Sequence, residues 1–405
     1  MDTTKVFAGK HILLLIENEA VPFDRRMWNI ALALRDGGAS VSVICPAFGK
    51  DSERSIVLED IRIRRYRNTF ADGSVFGYLR EYTVAFLKSL ALFHVLLFRG
   101  RCHVVHAANP PDIFWPLALY LKLFRVKFIF DEHDLAPEAY LSRFEKDPAH
   151  PDLLFKVQRL FQTLSYRAAD AVLSTNETYR AHACAQVPAI KPNSFIVRNG
   201  PDLRIFSPRP PVPSLRRGRT HMAAFIGVMA IQDGVEYIIR AVHDLVHRRH
   251  MEDVIVYLIG KGDDWDRLKD LANQLRVEEH LVFTGRIPDG EALDILCTAD
   301  VCLSPDPHNS LNDVSTMTKV MEYMALGKPT VSFHLKENTY SAGEAALYVE
   351  NNDVTAFADG MLRLFNDPAL RQQLGSIGRQ RIEERFSWQR QRDRLFEAYA
   401  HVLRP

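Results

Sequence analysis

The sequence predicts an α/β fold of two doubly wound, Rossmann-like parallel-sheet domains. Three observations lead there. Short apolar runs alternate with helical patterns along the chain. The alternation stops at a stretch with four prolines and four arginines, 207–219, and then restarts. At 405 residues the chain is too long for one core of ordinary size. Strands that are apolar throughout, each followed by a helix, belong to parallel sheets covered on both faces.

In the first half, residues 11–16 (HILLLI) read as a buried strand and 25–38 as a helix closed by glycine. Residues 40–46 form the next strand, and 61–66 (IRIRRY) alternate like an edge strand. Residues 78–99 form a long amphipathic helix. Residues 102–107, 127–134, 170–175 and 194–200 are strands with helices between them. In the second half, strands fall at 221–227, 253–262, 280–286, 300–305, 328–333 and 345–350. Helices fall near 234–249, 263–276, 289–298, 318–326 and 354–364. The tail from Asp367 is helical with a break near 386–388, and Trp388, Leu395, Phe396 and Tyr399 are placed to anchor its last helix. The expected organisation is a domain over 1–206, a linker over 207–219, a domain over 220–382, and a final helix, 383–405, that packs back on the first domain.

Composition narrows the function. The formal charge is +1, which argues against a general nucleic-acid binder. Residues 1–200 hold 26 basic against 21 acidic side chains, and the remainder 25 against 29. A basic half suits contact with an anionic surface. Five cysteines without C-x-x-C spacing suit buried thiols in a reducing compartment, so a cytoplasmic location is expected. No signal-peptide pattern opens the chain. The most apolar stretch, 83–98, has 16 residues and includes Lys88 and His94, short of a membrane span.

Ligands of doubly wound sheets bind beyond the carboxyl ends of the strands, so the residues there are the candidates. The first strand is not followed by G-x-G-x-x-G, and no G-x-x-x-x-G-K-[ST] occurs, which excludes the usual dinucleotide and P-loop readings. Asp24 either caps the following helix or meets a ligand. Arg25 and Arg26 read first as a solvated pair and second as an anion contact, because cations oppose the dipole at a helix start. Asp131-Glu132-His133-Asp134 closes a strand; it is either a capping turn or a site in which His133, assisted by Asp134, acts on a substrate hydroxyl. Arg198 precedes Asn199-Gly200, a turn signal. Gly227 and Gly260 end successive strands, where glycine permits a tight turn or a close approach to a ligand. Asp264-Trp265-Asp266 fits a helix start better than a metal site, and no metal is expected. The densest constellation runs from Asn312 to Pro329. Thr318 and the backbone N–H groups at a helix start form an anion site, and Lys319 adds a charge there. Glu322, one turn on, can accept from a ribose diol. The alternative is a capped helix with solvated Lys319 and Glu322.

These residues resemble the retaining glycosyltransferases of family 4, with the GT-B fold. The resemblance runs in order through the first strand and its arginine-rich helix start, DEHD, RNGPD, FIG…DG, LIGKGDD, FTGRIPD and KVMEYMALGKPTVSF. It implies two domains facing each other across a cleft, a nucleotide-sugar donor held by the second, and a saccharide or lipid-linked acceptor held by the first. It makes Glu322 the second glutamate of E-x7-E and a ribose ligand, and His133 the histidine near the reacting sugar. Gly285 and Arg286 fall against the nucleobase and Lys319 beside the phosphates. The sequence departs from the family at three positions. Val314 stands where the first glutamate should be, with Asp313 beside it, and Val228 and Asp233 replace the arginine and lysine of G-R-x-x-x-x-K-G. The expectation is therefore that Lys319, the helix start, and Arg25, Arg26 or Arg198 neutralise the donor, and that Asp313 or a backbone group serves the sugar hydroxyls.

The reaction implied is sugar transfer with retention in bacterial polysaccharide or glycolipid synthesis, without a cofactor or metal. The helix over 78–99 either packs on its own sheet or docks the protein on the inner, anionic face of the plasma membrane. A catalytically inactive partner subunit and a GT-B-fold sugar-nucleotide epimerase are the alternatives.

Overall fold

The apolar runs form two parallel sheets. The computed structural model describes residues 6–47, 55–67, 75–97, 102–144 and 149–404. Residues 1–5, residues 98 and 99 of the expected long helix, and Pro405 lie outside the described residues. The chain divides into two compact units, Met1–Arg198 with Arg392–Pro405, and Asn199–Gln391.

The first unit is built on β1 (His11–Leu15), β2 (Ser40–Ala47), β3 (Ser55–Leu58), β4 (Ile61–Arg67), β5 (Val104–Ala108), β6 (Lys127–Glu132), β7 (Ala171–Ser174) and β8 (Ser194–Ile196). Their order is β3-β4-β2-β1-β5-β6-β7-β8. All neighbours are parallel except β3 and β4. The hairpin joining these two turns at Glu59 and Asp60, both at positive φ, 50° and 61°. Such a turn normally carries Asn-Gly, and β3 is largely exposed, so neither turn chemistry nor burial marks it in the sequence.

Helix α1 (Arg25–Asp36) starts where Asp24 accepts from the Met27 N–H at 2.9 Å and ends at Gly37. It buries Met27, Ile30, Ala31 and Leu34, one stripe at helical spacing. The unit continues with α2 (Val75–Leu97), α3 (Trp115–Leu121), α4 (Ala136–Arg143), α5 (Leu153–Ala168) and α6 (Glu177–Gln186). Leu13, Leu15, Val105, Phe128, Phe130 and Tyr166 lie in its core.

The second unit orders β9 (His221–Ile226), β10 (Val254–Ile259), β11 (Leu281–Gly285), β12 (Val301–Ser304), β13 (Thr330–Phe333) and β14 (Ala346–Val349) as β11-β10-β9-β12-β13-β14, all parallel. The order reverses between β9 and β12, the place where such sheets open a crevice for ligands. Its helices are α7 (Val235–His243), α8 (Trp265–Gln274), α9 (Asp289–Thr298), α10 (Thr318–Ala325), α11 (Lys336–Ala342), α12 (Val354–Asn366) and α13 (Pro368–Arg381).

The division between the units falls at Arg198 and Asn199, ahead of the proline-rich stretch. That stretch belongs to the second unit. Arg216 forms two hydrogen bonds to Asp300, at 2.7 and 2.9 Å, and the Val212 N–H donates to Thr298 at 2.9 Å. Proline density marks irregular backbone, and here these side-chain contacts fasten it. The last helix, α14 (Trp388–Val402), follows Ser387, and from Arg392 onward it belongs to the first unit. There Phe396 packs edge-on against Phe7 at 5.0 Å, and His401 meets Asn193 at 2.9 Å.

Candidate functional site

In the first unit the polar groups gather where β5 and β6 end. Asp131, on β6, is fully buried. Its Oδ1 accepts from Arg26 Nη2 at 2.6 Å and its Oδ2 from Arg26 Nε at 3.0 Å, a bidentate pair. The same Oδ2 lies 3.1 Å from Nε2 of His106 and 3.1 Å from Nε2 of His133. Burial alone would push this carboxyl up. The Arg26 charge and the imidazole hydrogen bonds outweigh it and hold the group well below the usual carboxylate range. An ionised carboxylate only accepts, so both imidazoles carry a proton on Nε2. Nδ1 is then the ring nitrogen of His133 that Asp131 leaves unused. The His133 side chain retains 13% exposure, while His106 is fully buried.

Asn109, after β5, fixes the turn that presents His133. Its Oδ1 accepts from the His133 N–H at 2.6 Å, and its Nδ2 donates to the Asp134 carbonyl at 2.8 Å. Asp134 itself is exposed. Arg26 is not a solvated residue: it is 7% exposed, and its Nη1 also donates to the Val197 carbonyl at 2.7 Å. Its charge is matched by Asp131, which corrects the expectation of a cation held for the donor. Arg25 is exposed and Arg198 is buried.

Behind this turn lies a second buried acidic group. Glu132 accepts from the Tyr166 hydroxyl, and burial with repulsion from Asp112 holds it well above the usual range. Asp112 accepts from Asn109 Nδ2 at 3.0 Å through Oδ1, and its Oδ2 has no partner among the described residues. Burial pushes Asp112 up to about 7 against the Asn109 hydrogen bond.

In the second unit, Gly227, Gly260 and Gly285 stand side by side at the ends of β9, β10 and β11. The Gly260 N–H donates to Gly285 O, and the Gly227 N–H to Ile259 O, each at 3.0 Å. Gly260 has φ +125°, and a Cβ there would lie 1.9 Å from Gly227 O. Close backbone packing therefore accounts for it without a ligand. Gly285 has φ +69°, with only Trp265 near, at 3.9 Å. Arg286 is exposed beside it. Asp264 is held by Arg267 through two 2.6 Å hydrogen bonds.

Helix α10 starts at Thr318, which is exposed, and its N-cap residue, Met317, offers no side-chain hydrogen bond to the first turn. Lys319 points inward. Its Nζ lies 2.5 Å from Asp306 Oδ1 and 5.0 Å from the Phe225 ring centre, and its Cε lies 3.4 Å from where a Cβ on Gly227 would stand. Asp306 follows β12, so the pair sits at the β9/β12 switch point. Asp233 faces the same ammonium. Burial, reinforced by Asp306 and opposed by Lys319, pushes it up to about 6. Glu322 is half-buried one turn along α10. Asp313 is committed elsewhere, accepting from the Lys336 N–H at 2.9 Å at the start of α11. Asn312 ties this loop to the Gln232 carbonyl at 2.9 Å. Among the described residues no three His, Cys, Asp or Glu side chains are placed to share a metal ion.

The site thus brings Gly227, Asp233 and Lys319 together, while Asp313 is bound to the Lys336 N–H. Sequence reasoning did not single out His106, Asn109 or Asp306, and it read Tyr399 only as an anchor of the last helix. His106 carried one signal, a histidine inside an apolar strand, and Asp306 another, an acid two residues past a strand end.

Comparison with known proteins bears on both units. Residues 24–200 match the family described as Glycosyl transferase 4-like domain, and residues 220–367 match Glycosyl transferases group 1. The chain is 28% identical over 171 residues to an uncharacterized glycosyltransferase of Methanocaldococcus jannaschii. That alignment covers 41% of this chain and 41% of the relative, less than two thirds of its length. Sucrose-phosphate synthase from Thermosynechococcus elongatus has a TM-score of 0.78 over 96% of this chain and 98% of its own, at 16% identity. HepE of Anabaena, in complex with UDP-glucose, has a TM-score of 0.71 over 96% and 99%, also at 16% identity. At such identities the likeness is one of fold. Two family domains in sequence, each on its own parallel-sheet unit, make the chain a member of the family 4 glycosyltransferases with the GT-B fold.

Proposed function

We propose that this protein transfers a sugar from a nucleoside diphosphate sugar to a saccharide or lipid-linked acceptor, with retention of anomeric configuration. The observation that carries the reading is the start of α10: a helix N-terminus at the switch point whose N-cap, Met317, makes no side-chain cap, with Lys319 in its first turn and Glu322 one turn on. Backbone N–H groups there offer a diphosphate partners without a metal. Glu322 accepts from the ribose hydroxyls. HepE is similar in fold and was solved with UDP-glucose, which supports this donor class. In the first unit, His133 meets the reacting sugar or the acceptor hydroxyl through Nδ1, because Asp131 occupies its other nitrogen.

Docking on the anionic inner face of the plasma membrane completes the proposal. No helix among the described residues is long and apolar enough to cross a membrane. Leu87 and Val95 on α2 are exposed, as are Leu123 and Phe124 after α3, with the cations Arg80, Lys122 and Arg125 also outward. The helices adjoin through His94 Nε2 and the Tyr120 hydroxyl, 2.9 Å apart. An apolar face edged by cations suits anionic lipid.

Thermal-shift titration with UDP, GDP, ADP and their glucose conjugates tests the donor reading. A raised melting temperature with one of them is expected, and none with any would sink it. His133→Ala and Glu322→Ala should each abolish transfer without loss of fold. Donor binding without transfer to any acceptor would instead favour the inactive partner, a reading supported by the acidic Asp233 at a position where the family has lysine.

A further inference from the structure

Two imidazoles meet one oxygen of Asp131, but only His133 is near the surface. His106 is fully buried, and its remaining nitrogen is used as well. Nδ1 lies 2.8 Å from the hydroxyl of Tyr399, on α14, and the two rings are nearly parallel, with centres 5.9 Å apart and 26° between planes. Tyr399 is itself fully buried. The protons can be assigned. His106 donates from Nε2 to an ionised carboxylate. Burial keeps its ring neutral and lowers its affinity for a second proton, so Nδ1 is an acceptor. The Tyr399 O–H therefore donates to it, and burial together with the Asp131 charge keeps that phenol protonated.

We infer that Tyr399 and His106 are positioning residues that act through Asp131 on His133. The inference rests on the proposed role of His133 in transfer. Tyr399 fixes the tautomer and the plane of His106. His106 then holds Asp131 Oδ2 in the direction that also receives His133, while Arg26 holds the carboxylate through both oxygens and is itself tied to the Val197 carbonyl. The final helix thereby adds a hydrogen-bonded support for the ring that faces substrate, beyond its packing against Phe7. Where reacting groups must be aligned, such support governs turnover rather than binding.

The test uses the full chain. Tyr399→Phe removes one hydroxyl and keeps the ring. His106→Gln keeps an N–H able to reach Asp131, and His106→Leu does not. The expected result is a kcat lowered roughly 10- to 100-fold in Tyr399→Phe and His106→Leu. Donor KM should stay within about twofold, and His106→Gln should recover most of the loss. Nitrogen NMR of labelled histidine supplies a readout free of turnover. His133 should be the Nε2–H tautomer in the parent chain and a mixture in Tyr399→Phe and His106→Leu. Unchanged kcat with an unchanged His133 tautomer in both variants overturns the inference, as does a glutamine variant no better than leucine. If the parent chain neither turns over nor binds a nucleotide sugar, the proposed function falls, and the tautomer alone still decides whether the support exists.

Discussion

The ammonium of Lys319 lies 2.5 Å from Oδ1 of Asp306, and the pair is almost wholly buried. Ser304 donates to the other carboxylate oxygen at 2.6 Å. An incoming diphosphate at α10 therefore meets a lysine whose charge is already matched. Removing one partner of a buried pair leaves the other uncompensated, at a cost of roughly 3–5 kcal/mol. Asp306→Asn should lower the melting temperature of the ligand-free protein and enlarge the rise produced by the nucleotide sugar. Lys319→Ala should lower both. Equal ligand-induced shifts in Asp306→Asn and the parent chain would show that Lys319 does not meet the donor.

Asp233 should make donor binding depend on pH. Its carboxyl is pushed up to about 6, so it is largely neutral at pH 5.5 and charged at pH 7.5. A charged carboxylate beside Lys319 opposes a diphosphate. UDP-glucose, whose diphosphate is esterified at both ends, should bind about three- to tenfold more weakly at pH 7.5 than at 5.5. Asp233→Asn should remove the difference. Calorimetric titration at both pH values checks this, and an equal pH response in the two proteins would refute it.

Asp112 should be a source of instability at alkaline pH. In the unfolded chain it loses its proton near the ordinary value of 3.8, whereas burial delays this to about 7 in the fold. The folded state binds more protons between these values. Stability is therefore lost as pH rises from about 4 to 7 and stays lower above that, by roughly 2–4 kcal/mol. Asp112→Asn should raise the melting temperature at pH 8 by several degrees and change it little at pH 4. Scanning calorimetry at both pH values measures the difference.

The strand-end glycines should respond unequally to alanine. At Gly260 both the φ of +125° and the Gly227 carbonyl at 1.9 Å oppose a Cβ, so Gly260→Ala should cost on the order of 3 kcal/mol or more. At Gly285 only the φ of +69° opposes it, and about 1–2 kcal/mol is expected. Denaturant unfolding of the two variants gives the comparison.

Periodicity and composition made the architecture legible. Strand runs such as 254–259 are buried at every position and so read directly as parallel-sheet strands. Strand β3 escaped because it buries little and turns at Glu59 and Asp60 without glycine. Positions of the candidate site residues were legible in the same way, because strand ends and helix starts are local features. Their partners were not. His133 stood out as a histidine at a strand end, and Lys319 as a cation at a helix start, from neighbours in sequence alone.

What the sequence by itself determined is the pair of parallel α/β domains and the places along the chain where chemistry gathers. These follow from residue spacing over ten or twenty positions. Only the tertiary structure decided the electrostatic state of those places. Asp131 is joined to Arg26 across 105 positions, His106 to Tyr399 across 293, and Lys319 to Asp306 across 13. Burial then makes each pairing consequential, because a charge withdrawn from water takes its protonation and its availability from whatever the fold sets beside it. Arg26, read from its neighbours as a solvated residue, is for that reason the counter-charge of Asp131.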